Sequence, residues 1–180
     1  MFLDTSSLVS PDELNGDLLL MESRNSVRNI TAHLLEKGCT LPGFMGDIGY
    51  AQSNRERYEG FCQALMDAGK TPNPSLCLTT PLGIDSYREE IDSFLSSLSR
   101  MPDAFVCASD YVACILMQLL EKRGLRVPED VAVSGFDNNI EDLLAENLTT
   151  VQVFNEELGS RLALQILYRI KYPHTPHEVT

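Results

Sequence analysis

The sequence predicts an α/β protein built on a mainly parallel sheet, and three observations carry that expectation. Short apolar runs alternate with longer stretches whose apolar residues fall at helical spacing, the pattern of successive β-α-β units. The run Ala104-Phe105-Val106-Cys107-Ala108 has no polar alternation, as expected of a strand covered on both faces. Gly38, Gly69 and Gly124 each come just after a helical stretch, where a glycine cap belongs.

Taken in order, 17–21 (DLLLM) reads as a short strand, and 26–37 as a helix with Val27, Ile30, Leu34 and Leu35 at helical spacing. The next strand candidate is 41–45. Pro42 cannot donate to a ladder, so an edge position or a ragged start is expected there. A second helix covers 54–68, with Tyr58, Phe61, Leu65 and Met66 as its apolar face. A brief strand at 76–78 leads to a third helix, 85–98, which turns Ile91, Phe94, Leu95 and Leu98 inward. The strand 104–108 leads to a fourth helix from Asp110 to Leu120, then to a strand at 131–134 and a helical turn at 141–144. Residues 149–153 are extended, and 155–170 form the last helix, with Leu158, Leu162, Ile166 and Leu167 on one side.

Composition bounds the function. The net charge of −12 argues against nucleic-acid binding by this chain alone, since phosphate contacts need clustered Lys and Arg. The five cysteines are odd in number, form no C-x-x-C pair and sit partly in apolar runs, which points to free thiols in a reducing cytoplasm. No signal-like or bilayer-length apolar segment is visible. His174 and His177 lie among prolines, so a loose tail is expected there and no metal site. The sequence has no G-x-G-x-x-G, no Walker loop, no H-E-x-x-H and no nucleophile–base arrangement. Binding without turnover is therefore expected, with no cofactor.

Ligands of parallel α/β sheets bind beyond the carboxyl ends of the strands. Three polar clusters fall there: 47–57, Ser109-Asp110, and Asp137-Asn138-Asn139. The last cluster either caps the next turn or holds a ligand, because Asx side chains do both. Of Ser109 and Asp110, Asp110 is expected to cap the fourth helix, leaving Ser109 freer for a ligand. Arg55 and Arg57 open the second helix, where the macrodipole disfavours cations, so a specific anionic or hydroxyl partner is one reading and a solvated side chain the other.

The stretch MPDAFVCASDYVACILMQLLEKRGLRVPEDVAVSGFDNN resembles the most recognisable segment of the LacI/GalR transcription regulators. In them, a Pro-Asp-Ala strand leads to an N-D-x-x-A helix, to G-x-x-V-P-x-D-V, and to a strand ending in G-F/Y-D. LTTVQVFNEELGSRLALQILYRI resembles the next block, and NSVRNITAHLLEKGC and RERYEGFCQAL resemble two earlier ones. The similarity runs from about Leu18 to Ile170.

The resemblance implies a periplasmic-binding-protein-like fold of type I, truncated to one nearly complete subdomain and part of a second. Residues 1–38 would belong to the N-terminal subdomain, 39–150 would form the C-terminal one, and 151–180 would cross back. It also implies an effector site. Arg57 matches an effector-gripping arginine, Asp137 the aspartate after G-F/Y, Ser109 a position usually asparagine, and Asn25 a position on the opposite lip that is often aspartate. On this reading Asp137 holds a ligand, and Asn138 or Asn139 starts the next turn. Ser109, Asn25 and Asn138 depart from the usual residues and bear on which effector fits.

The implied function is that of the effector-sensing part of a cytoplasmic regulator that is not an enzyme. A sugar or related metabolite would be the effector, and operator DNA would be reached only through a missing N-terminal domain. The alternative is a solute-binding protein of a sugar transport system, which shares the fold. The family also implies a homodimer. In the family the contact is made by the helix after the N-D-x-x-A position and the turn after G-F/Y-D. Here those are Tyr111 to Leu120, which is apolar all round, and Ile140 to Leu144, so the resemblance puts Leu116, Leu120 and Leu143 near the contact.

Overall fold

A computed structural model describes residues 1–5, 9–83, 85–138 and 148–180. Eleven elements are assigned among them, besides short 3-10 turns at Pro11–Glu13 and Pro74–Leu76: β1 Phe2–Leu3, β2 Leu18–Leu19, α1 Arg24–Glu36, β3 Pro42–Met45, α2 Gln52–Asp67, β4 Cys77–Leu78, α3 Tyr87–Ser97, β5 Ala104–Cys107, α4 Asp110–Lys122, β6 Ala132–Ser134 and α5 Asn155–Lys171. The larger sheet is parallel throughout, in the order β4-β3-β5-β6. The smaller one pairs β1 with β2, also in parallel, and Leu18 is bridged in parallel to Val179. The two neighbours of β2 use opposite edges. Phe2 and Asp4 donate to the carbonyls of Asp17 and Leu19, whereas Leu18 and Leu20 donate to Glu178 and Thr180.

Strand periodicity sorts the core into two layers. Met45, Phe105, Cys107 and Val133 pack on one face of the large sheet with Ile91 and Leu95 of α3 and Leu116 and Leu120 of α4. Phe44, Val106 and Ala108 pack on the other, with Val27 of α1 and Phe61 and Leu65 of α2. Period-2 alternation thus sends neighbouring apolar residues of β3 and β5 into different cores, which is why β5 reads as an unbroken apolar run.

Four expectations are corrected. Of the two alternatives expected for the Pro42 strand, the edge position is overturned, since β4 and β5 flank it, while the ragged start is found. Proline is tolerated because it is the first residue of β3, and β4 pairs only with Phe44 and Met45. Leu116 and Leu120 are 0% exposed within the single chain. Helix α4 is apolar all round because the sheet and α3 cover it internally, so these two leucines are not on a surface that a partner could reach. Leu143 and the helical turn at 141–144 lie outside the described residues. Helix α1, placed with the N-terminal unit by a boundary at residue 38, packs instead on α2. Gly60 of α2 comes so close that a Cβ there would meet the Arg24 carbonyl at 2.1 Å. In α5, Leu158 and Leu162 are half-buried, but Ile166 and Leu167 are exposed, as are Leu164 and Ile170. No α5 residue is fully buried, consistent with helix faces left uncovered beside a small sheet. No helix among the described residues is long and apolar enough to cross a membrane.

Candidate functional site

The rim of the large sheet is assembled from the residues just past the carboxyl end of each strand. Past β5, Ser109 is the N-cap of α4, and its hydroxyl accepts from the Val112 N–H at 3.4 Å. Asp110 is the first residue of the helix and is buried, and its carboxylate accepts from the Thr150 hydroxyl at 2.6 Å. The expected roles are therefore exchanged. Two adjacent polar residues compete for one capping geometry, and the extended backbone at Ser109 is the one that suits a cap.

Past β6, the chain continues through Phe136 and Asp137 alongside the 149–153 stretch. Asp137 donates its N–H to the Val151 carbonyl at 3.0 Å and accepts from the Val153 N–H at 3.2 Å. Asp137 and Asn138 have φ of 111° and 50°, the left-handed half of backbone space. Asp and Asn enter it more readily than other non-glycine residues. The Asn138 amide donates to the Gln152 side chain. Asn139 lies outside the described residues.

Arg57 sits one turn into α2 and reaches this point. It is 4% exposed. Its Nη1 donates to the Ala108 carbonyl, and its guanidinium lies 3.6 Å from the centroid of the Phe136 ring, a cation–π contact. Its Nη2 is 3.7 Å from Asp137 Oδ1, too long for a hydrogen bond, and its buried Nε has no partner among the described residues. Burial pushes the guanidinium pKa down, against the opposing fields of Asp137, Asp4, Asp110 and Glu56. Burial likewise raises the Asp137 carboxyl. Arg57 pulls it back down, and Asp110 pushes it further up.

The sequence-predicted residues divide accordingly. Arg57 and Asp137 are brought together, and Ser109 stands on the same rim, next but one to Cys107 of β5 along the chain. Asn25 is exposed on the first turn of α1. The residue that organises this turn is Glu22, whose carboxylate accepts from the backbone N–H groups of Asn25 and Ser26 at 2.6 and 3.0 Å. Sequence reasoning passed over Glu22, Phe136 and Asp4. A carboxylate shortly before a helical stretch was the available signal for the first.

A cavity of about 350 Å³ opens on Phe136, but none of Arg57, Asp137, Ser109 and Asn25 lines it. Its walls are the exit of β2 (Leu20, Met21, Glu22), Phe136, the 151–154 stretch, and the start of α5 with Glu157 and Arg161. Phe136 thus carries Arg57 and also lines the cavity. Among the described residues, no three His, Cys, Asp or Glu side chains gather as metal ligands would. The arrangement offers a buried cation with a spare donor, a part-buried carboxylate and a capped hydroxyl, which suits reversible hydrogen bonding to a polar ligand.

Residues 31–180 match the family described as periplasmic binding protein-like domain. The chain is 31% identical over 158 residues to the HTH-type transcriptional regulator DegA of Bacillus subtilis, covering 86% of this chain and 46% of that one. It is 30% identical over 166 residues to the HTH-type transcriptional repressor PurR of Aliivibrio salmonicida, covering 91% and 49%. The chain therefore spans about half the length of these curated relatives. In structure it resembles a LacI-family regulator from Sanguibacter keddieii, with TM-score 0.83 and 24% identity over 99% of this chain and 66% of that one. It also resembles the transcriptional regulator CelR in its cellobiose complex, with TM-score 0.78 and 26% identity over 93% and 51%. The chain belongs to the periplasmic binding protein-like domain family, and its sequence is similar to curated transcription regulators.

Proposed function

We propose that this chain is the effector-sensing part of a cytoplasmic transcription regulator and has no catalytic step of its own. A small polyhydroxylated molecule, a sugar or a related metabolite, binds between the unit built on β1, β2 and α5 and the unit built on the four-stranded sheet. The observation that carries this is the incomplete coordination of Arg57 and Asp137: a buried guanidinium with an unpartnered Nε faces a carboxylate 3.7 Å away. Adjacent ligand hydroxyls satisfy both groups at once, donating to Asp137 and accepting from Arg57. The cellobiose bound to CelR and the ribose bound to a LacI-family regulator from Enterococcus faecium support a sugar. Ligand preference for one arrangement of the two units then biases DNA affinity, which resides in a reader outside these residues, as the net charge of −12 suggests. Calorimetric titration of pentoses, hexoses, disaccharides and purine bases against the protein tests the reading. Saturable binding of one class is expected, and binding that Asp137→Asn leaves untouched would remove Asp137 from the site.

The same reading includes a homodimer, with its contact moved outward from Leu116 and Leu120. At the start of α4, Tyr111 is 58% exposed. It meets Tyr87 of α3 edge to face, with ring centroids 5.7 Å apart. Such exposed aromatic pairs suit an interface core. Tyr111→Arg is expected to shift the protein towards monomer in light scattering. Leu116→Glu, by contrast, buries a charge and is expected to abolish folding. An unchanged oligomer in folded Tyr111→Arg would place the contact elsewhere.

A further inference from the structure

The first turn of α2, the helix that carries Arg57, has no cap of its own. Its N-cap position is Ala51, which has no side-chain acceptor. The acceptors arrive from the other sheet. Asp4, immediately past β1, accepts from the Ser53 hydroxyl and from the Ser53 N–H, the latter at 3.3 Å. The Thr5 carbonyl accepts from the Gln52 N–H at 2.7 Å. Asp4 itself is held at φ 59°, with its N–H on the Leu19 carbonyl at 3.0 Å and its carboxylate accepting from the Thr5 N–H at 2.7 Å. The smaller sheet therefore supplies the cap for the larger sheet's ligand-facing helix.

Covalent passage between the two sheets runs through residues 20–23 and 148–154, of which 20–22 and 151–154 also border the 350 Å³ cavity. Hinging about those passages changes the distance between Asp4 and Ser53 directly. We propose that the Asp4–Ser53 contact is a latch that holds the two sheet units together in the ligand-free protein and aligns Arg57 through the first turn of α2. The latch rests on the site reading for its purpose and on geometry alone for its existence. With it closed, the units stay close and the Arg57 turn is ordered. With it open, the Gln52 and Ser53 N–H groups lose their acceptors and the turn frays. Ligand that binds the closed form gains affinity in proportion to the closed fraction, so the latch sets how much of the protein is ready.

The test is run without ligand, so its failure is separate from any failure of the effector assignment. Hydrogen exchange at the Gln52 and Ser53 amides is monitored in the wild type, Asp4→Ala, Asp4→Asn and Ser53→Ala. Electron–electron double resonance distances between labels on α3 and α5 are measured in parallel, using Ser93→Cys and Ser160→Cys with Cys39 and Cys62 changed to serine. Asp4→Ala is expected to lower protection of the Ser53 amide roughly tenfold or more, and to lengthen or broaden the α3–α5 distance. Asp4→Asn, which keeps an acceptor, retains part of both. Ser53→Ala removes only the hydroxyl, and is expected to broaden the distance even if Asp4→Ala does not fold. Lost protection with an unchanged distance distribution would reduce Asp4 to a cap and overturn the latch. Unchanged protection in Asp4→Ala and Ser53→Ala would overturn both roles.

Discussion

Two aspartate–arginine pairs in this chain behave oppositely in the structure. Asp17 and Arg169 join the start of β2 to α5. The Asp17 carboxylate is 4% exposed and saturated: Arg169 donates from both Nε, at 3.0 Å, and Nη2, Gln165 donates at 3.1 Å, and the Glu178 N–H donates at 3.0 Å. Burial alone would raise its pKa. The bonds from Arg169, Gln165 and Glu178, with the Arg169 charge, outweigh burial and hold the carboxyl at about 2. Asp137 and Arg57 also meet with burial against them, but across 3.7 Å and with no such set of donors, and the carboxyl pKa is raised. A saturated pair has nothing left to give a ligand and serves as a clamp. An unsaturated one retains donors and acceptors at the cost of stability, which is what a binding site requires.

The largest expected effect comes from breaking the clamp. Asp17→Ala leaves Arg169 and the Gln165 amide without their acceptor and frees the Glu178 N–H that ties the C-terminal segment to β2. Breaking a buried pair costs about 3–5 kcal/mol, and the lower end applies because Arg169 retains 21% of its side-chain surface in water. Urea denaturation should register the loss, and a change below about 1 kcal/mol would show that the network is worth no more than a surface pair. Asp137→Asn should do the reverse. Asparagine tolerates the positive φ, so the melting temperature should scarcely move. Losing a charge-assisted bond to ligand costs roughly 1.5–3 kcal/mol, a tenfold or greater fall in affinity. A variant that melts early with unchanged affinity would make Asp137 structural as well, and the contrast would collapse.

The contrast was only partly legible in the sequence. Helical and strand periods located every long element, and the rule that parallel strands point their carboxyl ends at a site brought Arg57 and Asp137 together from 80 positions apart in the chain. Asp17 and Arg169 gave no such signal. Their partnership depends on how α5 lies on the small sheet, which local pattern does not encode. Helix α4 shows a second limit, since an all-round apolar helix is written the same way whether its outer side faces a partner or its own α3. Helix ends show a third. Ser109 against Asp110, and Glu22 against Asn25, are choices between near neighbours, the first made by the extended backbone at Ser109 and the second by which carboxylate or amide meets the first-turn N–H groups. The Asp4 cap on α2 comes from 49 residues away.

Acid separates the two pairs in sequence. Asp17 has a folded pKa of about 2 against an ordinary 3.8. Its contribution to stability is therefore complete above the ordinary value and is lost as pH falls through the interval between them. Asp130, held by Arg126, titrates in the same direction. Asp137 has the opposite sign. Its folded pKa lies above the ordinary value, so the folded protein takes up this proton first, and its ionisation subtracts from stability at neutral pH. The groups that set it are Arg57 from α2, which favours the charged form, and Asp110 from α4, which opposes it. Protonation removes the charge that strengthens the bond from ligand and turns one oxygen into a donor, while Asp17 is still ionised and the clamp intact. Affinity should accordingly fall on the acid side of neutrality before the fold does, leaving a window in which the protein is folded but blind to its ligand. Calorimetric affinity and near-ultraviolet circular dichroism, measured on the same samples from about pH 7 to about pH 4, check this. Affinity that stays flat until the dichroism collapses would mean that ligand binding does not use the Asp137 carboxylate.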